Sequence, residues 1–340
     1  MLPRLWTLTA LVLGSCEQVR EPEVLRGLAM GTTYEVKFVL PDQVSNRGFV
    51  ETRIREELAR FDAVFSTYDS ESEISRFNRH DTGEAFSASE EFRDLAGRAL
   101  ELAQKTDGAF DPTLGPVLRL YGFGPGADEH PDRPSDALID EARERTGWRK
   151  IRVTPEGSMF KADGGVELDL NAIAKGAGVD RISSALDALG CGSYMVEIGG
   201  EVRCRGIKPD GGDWTIGVRG PVDLEPRRQG LFIARVPLRD RAMATSGSYY
   251  QYRQLGEGRV HHILDPRSGR NAATEVDSVT VVAETCELAD GLATALMVLG
   301  PKEGERVLAR FADDDVRVLF HLRGSRTGAG RTVEHRWTFR

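Results

Sequence analysis

The sequence predicts an α+β fold, with mixed, mostly antiparallel sheets and helices packed against them. Three observations lead there. Strand-like alternation and helix-like periodicity share the chain without a regular β-α-β rhythm. The 37 glycines against 15 prolines suit the tight turns of a sheet-rich, ligand-binding protein. With 40% hydrophobic and 29% charged side chains, 340 residues can bury a sizeable core, so disordered and fibrous architectures are not expected.

The elements follow in order. TTYEVKFVL at 32–40 alternates as a half-buried strand, and Val50, Ile54, Leu58, Phe61 and Phe65 then recur at helical spacing. Ser87 and Glu90 stand at capping-box spacing before a helix from about Ser89 to Lys105, with Phe92, Leu95, Ala99 and Leu102 on one face and Gly108 as its stop. The polar excursion GFGPGADEHPDRP, 122–134, precedes a helix near 135–147 and a hairpin through Pro155-Glu156-Gly157. VELDL at 166–170 reads as a strand feeding a helix from near Ala172 to Gly190. SYMVEIGGEVRCRG then sets two strands around Gly199-Gly200 as a tight hairpin. Strands are expected at about 214–219, 231–238 and 278–283, helices at about 285–299 and 301–311, and a tail alternating through VRVLFHLR and VEHRWTF. No composition shift marks a further boundary, and residues 29–340 read as a single domain.

Charge and targeting narrow the function. Against 53 acidic residues, 45 basic ones leave a net charge of -8, which provides no broad cationic surface for nucleic acid. The first residues, MLPRLWTLTALVLGSC, join Arg4 to an apolar stretch too short to span a bilayer, the pattern of a secretory signal. Leu13-Gly14-Ser15-Cys16 resembles a bacterial lipobox. It implies a signal peptide at 1–15, a diacylglycerol-modified Cys16 and a lipidated tether over 16–28; an ordinary signal peptide with an incidental cysteine is the alternative. No later segment is apolar enough for a transmembrane helix, so the folded body is expected on the periplasmic side, anchored by lipid. Cys191, Cys204 and Cys286 show neither CxxC nor zinc spacing and read as core residues.

Common catalytic signatures are missing: no GxxxxGK, HExxH or GxSxG, and the glycines of GFGPG follow no strand. Four segments nevertheless place polar groups where a packed core has no need of them. TDGAFDPTLGP, 106–116, sets Asp111 before Pro112, either a turn signal or a ligand contact. ELDLNAIAKGAGVD puts Asp169 at a strand end and Lys175 just inside a helix, where it would meet an anion or simply be solvated. HHILDPRSGR, 261–270, sets His262 beside an apolar pair, as a base or as a satisfied structural histidine. ELADGLATAL, 287–296, places Asp290 and Thr294 on one helical face. Hard oxygen donors at that spacing suit Mg²⁺, and an Asp in the first turn also suits the helix dipole.

Taken together, these segments resemble the ApbE family of FAD:protein FMN transferases. The match runs in order through AMGTTYEV (29–36), FSTYDSESEISRFN (65–78), GAFDPTLGP (108–116), LDLNAIAKGAGVD (168–180), VEIGGEVRCRG (196–206), ATSGSYYQY (244–252), HHILDPRSGR (261–270) and ADGLATAL (289–296). The resemblance implies an ApbE-like, T-fold type of architecture. It also implies transfer of the FMN half of FAD to a Thr or Ser hydroxyl of a respiratory or periplasmic acceptor protein, with release of AMP and a requirement for Mg²⁺. Carried over by motif, the metal ligands are Asp290, Thr294 and the Ala172 carbonyl; the FAD contacts are Met30, Tyr68, Ala109, Phe110, Asp111, Asp169, Lys175 and Ile263; the general base is His262. The chain departs from the family at Asn171, where glycine or serine is usual, at Ala177 in place of an aromatic, and at Asn271 in place of proline. An FAD pyrophosphatase, with water as acceptor, and a non-catalytic flavin-binding lipoprotein remain as alternatives.

Overall fold

The computed structural model describes residues 21–41, 43–44, 46–127, 132–220, 232–249, 251–256, 258–272 and 274–322, and the backbone of 331–335. Cys16 and the signal segment lie outside the described residues, as does part of VEHRWTF. The chain opens with strands β1 (Glu23–Ala29) and β2 (Thr32–Phe38), helices α1 (Arg47–Phe65) and α2 (Glu73–Arg79), the short β3 (Phe86–Ser87), and helices α3 (Glu90–Lys105), α4 (Gly115–Leu120) and α5 (Asp136–Glu144). Strands β4 (Ile151–Val153) and β5 (Ser158–Lys161) lead to helix α6 (Asn171–Ala188). Strands β6 (Tyr194–Ile198), β7 (Glu201–Arg205), β8 (Trp214–Arg219), β9 (Phe232–Leu238) and β10 (Arg241–Gly247) follow. Then come β11 (Tyr252–Leu255), β12 (Gly258–His261), β13 (Leu264–Asp265), β14 (Arg270–Asn271), β15 (Val276–Ala283), helix α7 (Cys286–Leu308), β16 (Arg317–Leu322) and β17 (Arg331–His335).

Eight strands form the main sheet in the order β1-β2-β6-β7-β10-β15-β16-β17, every neighbouring pair antiparallel. Side-chain alternation divides its two faces. Tyr194, Val196 and Ile198 of β6 and Val279 and Val281 of β15 join the core beneath α1, α3, α6 and α7. Met195, Cys204, Met243 and Val282 point the other way and pack with Trp214, Val218 and Leu238 of the β8–β9 hairpin. The predicted α+β class is the observed one. Cys191, Cys204 and Cys286 are buried free thiols, as expected of core residues.

Several elements differ from expectation, each for a local reason. The sheet starts at Glu23, so residues 23–28, assigned above to the tether, belong to β1. The helix after β3 is capped by Ser89, whose hydroxyl accepts from the Phe92 N–H at 3.2 Å, and not by Ser87. The carboxylate completing the cap comes from another helix: Glu73 accepts from both the Ser89 N–H and hydroxyl at 2.6 Å. VELDL forms no strand. Val166, Leu168 and Leu170 are buried as the alternation required, but the backbone partners are the Asn78 side chain, on both sides of Leu168, and the Pro112 carbonyl, which accepts from the Asp169 N–H. The two helices expected across 285–311 meet at Gly300, where φ is 67° and Pro301 begins the second stretch.

The contact that most directly builds the site is between α6 and α7. Gly176 lies against the start of α7, and a Cβ there would fall 2.4 Å from the Cys286 carbonyl oxygen. Gly176→Ala is therefore expected to destabilise the fold by roughly 1–3 kcal/mol, the scale of overpacking in a core. Chemical denaturation of the variant checks this, and unchanged stability would contradict the close approach.

Candidate active site

Asp290, buried in the second turn of α7, reaches across this contact to the first turns of α6. Its Oδ2 accepts from the Gly176 N–H at 3.0 Å, and its Oδ1 lies 3.8 Å from the Lys175 ammonium. In a regular helix the Gly176 N–H faces the Ala172 carbonyl one turn earlier, so a donor given to Asp290 leaves that carbonyl oxygen with acceptor capacity to spare. Thr294 follows one turn after Asp290, its hydroxyl 3.2 Å from that of Ser246 on β10. Lys175 makes its closer ion pair, at 2.7 Å, with Glu201, the first residue of β7.

The electrostatics of this group are unusual. Burial raises the pKa of both Glu201 and Asp290, while the neighbouring Lys175 charge pulls each back down. Burial works against the Lys175 charge too, but Asp290 and Glu201 outweigh it and hold the ammonium firmly protonated. The Glu201 pKa is pushed up to about 7, so near neutral pH the second negative charge is only partly present, and it becomes complete when a cation joins the one ammonium; the buried Oε2 of Glu201 has no hydrogen-bond partner. Such a cluster favours an added cation. Among the described residues no three His, Cys, Asp or Glu side chains gather as a metal cluster. The donors available here are of another kind: one carboxylate, one hydroxyl and one backbone carbonyl, all hard oxygens of the sort Mg²⁺ accepts.

The other predicted contacts surround the start of α6. Met30 occupies the β1–β2 turn with φ 52°, and its sulfur lies where a Cβ on Gly178 would be 2.8 Å away. Tyr68 is 74% exposed, beside Thr67, whose hydroxyl accepts from the Asn171 amide at 3.4 Å. Asp169 accepts from the Asn171 N–H at 3.0 Å in the turn that leads into α6, and borders a cleft of about 220 Å³ with Thr67, Asn78, Arg119 and Glu167. Burial raises the Asp169 pKa. Asp111 lies half-buried with both oxygens occupied: Oδ1 accepts from the Thr113 N–H at 2.9 Å and hydroxyl at 2.6 Å, Oδ2 from the Trp148 N–H at 3.2 Å. Ala109, Phe110 and Ile263 place their side chains in the main core, leaving only their backbone groups for a ligand.

His262 lies in the bend after β12 rather than within the strand, so alternation with His261 does not set its direction. Its Nδ1 is 3.2 Å from the Gln251 carbonyl. A carbonyl only accepts, so Nδ1 carries the proton and the neutral ring keeps its lone pair on Nε2. Burial lowers the His262 pKa, the Gln251 bond opposes this, and the Lys175 charge lowers it further. The ring meets Phe123 edge-on at 6.3 Å. Asn271, at the position where proline is usual, donates to the His261 carbonyl at 2.9 Å and the Ile263 carbonyl at 3.4 Å, bracketing His262. Ala177, in place of the usual aromatic, opens onto a separate cleft of about 490 Å³ with Phe61 and Phe65.

Sequence reasoning passed over Glu201, Ser246 and Asn78. Glu201 had a signal: with Arg203 it occupies the face of β7 opposite Val202 and Cys204, and a charged pair in a strand covered on both sides needs buried partners. Arg203 finds Asp180, and Glu201 finds Lys175.

The FAD:protein FMN transferase of Vibrio cholerae is 38% identical over 299 residues, covering 87% of each chain. That of Salmonella typhimurium is 34% identical over 312 residues, covering 88% of this chain and 87% of its own. The structure of the flavin transferase ApbE from Vibrio cholerae superposes with a TM-score of 0.82 at 34% identity, over 94% of this chain and 98% of that one. The sequence model of the ApbE family matches residues 30–320, and the chain belongs to that family.

Proposed function

We propose that this protein transfers the FMN moiety of FAD to a Thr or Ser hydroxyl of an acceptor protein, with Mg²⁺ at Asp290, Thr294 and the Ala172 carbonyl. The observation that carries the reading is the buried cluster in which two carboxylates, Asp290 and Glu201, share the single Lys175 ammonium at 3.8 and 2.7 Å, beside the Thr294 hydroxyl one turn along α7. When bound there, the cation would offset charge on the pyrophosphate and on the departing AMP.

The chain's own residues supply the rest. The Lys175 side chain is 33% exposed and can reach a phosphate oxygen from its place beside Asp290. The N-terminus of α6 adds the positive end of a helix dipole. His262 Nε2 takes the proton of the attacking hydroxyl while Nδ1–H stays on the Gln251 carbonyl. The acceptor oxygen forms its bond to the FMN phosphorus as the bond from that phosphorus to the oxygen carried off by AMP breaks. Met30, Tyr68 and the backbone of Ala109 and Phe110 serve as walls for the flavin, and the Asp111 and Asp169 carboxylates brace the adjoining backbone at Thr113, Trp148 and Asn171.

Mixing the full chain with FAD, Mg²⁺ and periplasmic extract tests the reading. A newly fluorescent protein band that needs Mg²⁺ supports it. FMN and AMP without a band indicate the pyrophosphatase, and the absence of any AMP indicates a flavin-binding protein without catalysis. The proposal extends to location, with the protein anchored by lipid on Cys16 at the periplasmic side of a bacterial membrane. Cys16→Ser is expected to release it to the soluble fraction, and unchanged mass and membrane fractionation would refute the anchor.

A further inference from the structure

We propose that Glu201 is a positioning residue that draws the Lys175 ammonium to itself and so keeps Asp290 open to a divalent cation. The inference rests on the reading of Asp290 as a metal ligand. Lys175 is shared unequally, 2.7 Å from Glu201 and 3.8 Å from Asp290. Without Glu201 the nearest anion left to the ammonium is Asp290, and the lysine would occupy the place of the metal.

The fold builds this arrangement with care. Gly199, with φ 60°, turns the β6–β7 hairpin beneath the lysine: a Cβ there would lie 3.3 Å from Lys175 Cδ and 2.9 Å from Thr32. The Gly199 N–H donates to the Thr33 carbonyl at 3.0 Å, fixing the hairpin tip on β2, and the Gly200 N–H donates to the Glu197 carboxylate at 2.6 Å. Glu201 thus enters the helix-covered face of the sheet at a set height, 3% exposed, with one oxygen on Lys175 and the other without a partner. A buried ion pair with a half-satisfied carboxylate brings little net stability, so folding alone does not account for it. Holding a cation 3.8 Å from a ligand carboxylate, short of contact, does account for it.

The test follows the melting temperature of the full chain against Mg²⁺ without FAD, in the wild type and in Glu201→Gln, Glu201→Asp, Lys175→Met and Lys175→Met/Glu201→Gln. Glu201→Gln is expected to need about tenfold more Mg²⁺ for the half-maximal shift, the scale of bringing one unit charge an ångström closer at a partly buried site. Glu201→Asp, which keeps the charge but withdraws it, should weaken binding less. In the Lys175→Met background the glutamine substitution should cost clearly less than the tenfold seen in the wild type, because only the direct attraction of the Glu201 charge is then lost and its hold on the lysine no longer counts. A tenfold loss persisting in that background, or a lower melting temperature with unchanged Mg²⁺ dependence, overturns the inference. A wild type indifferent to Mg²⁺ overturns the metal reading and this inference with it; a responsive wild type matched by Glu201→Gln overturns this inference alone.

Discussion

Asp290→Asn is expected to abolish flavin transfer at millimolar Mg²⁺ while leaving the fold intact. The amide oxygen can still accept from the Gly176 N–H, so the α6–α7 contact survives, but the anionic metal ligand is gone. Losing metal stabilisation of a phosphoryl transfer costs several kcal/mol, on the order of 10³-fold or more in rate. Stability should move the other way. Burial raises the Asp290 pKa, so the ionised carboxylate opposes folding at neutral pH, and this cost grows as pH rises through the raised value. Without metal, the variant should therefore melt no lower than the wild type. Near wild-type turnover would sink the metal assignment, and a collapsed melting temperature would recast Asp290 as structural.

His262→Ala should lower transfer by roughly 10²–10⁴-fold with FAD affinity little changed, because proton removal matters only once the hydroxyl attacks. The pH profile carries the same assignment. Burial depresses the His262 pKa, so the neutral, basic form persists to lower pH than in an ordinary histidine, and the acid limb of the wild-type rate should fall below pH ~6.5. That limb should vanish in the variant. Single-turnover transfer, FAD fluorescence titration and melting temperature, with His261→Ala as control, decide the matter. Equal small effects at both positions, or loss of stability in place of rate at His262, would remove it from the catalytic list.

Long amphipathic segments were legible because burial alone specifies them. Val50, Ile54, Leu58, Phe61 and Phe65 are buried along α1 as their spacing requires, and Gly199-Gly200 makes the predicted turn. Segments whose partners are distant in sequence were not. VELDL alternates like a strand, yet nothing local reveals that Asn78, 90 residues from Leu168, replaces a ladder neighbour. Ser87 and Ser89 offer similar capping chemistry, and Glu73, 16 residues before Ser89, decides between them. Helix α2, seven residues long, is too short for its periodicity to register.

The site shows the same division. Asp290 and Thr294 share a helical face by spacing alone, and the ordered motifs identified the family. The pairing of Lys175 with Glu201 across 26 residues, and of Gly176 with Asp290 across 114, exists only once β7 and α7 close on α6. Phe110 and Ile263 sit in recognisable motifs, yet their side chains belong to the core.

The central claim is transfer of FMN to a protein hydroxyl, and the stoichiometry of one reaction tests it most directly. The full chain, FAD, Mg²⁺ and a purified acceptor are combined, free AMP is quantified, and the acceptor's mass is measured intact and after digestion. The account predicts one AMP released for each FMN joined by a phosphoester to a Thr or Ser. AMP accompanied by an equal amount of free FMN, with the acceptor's mass unchanged, would contradict it.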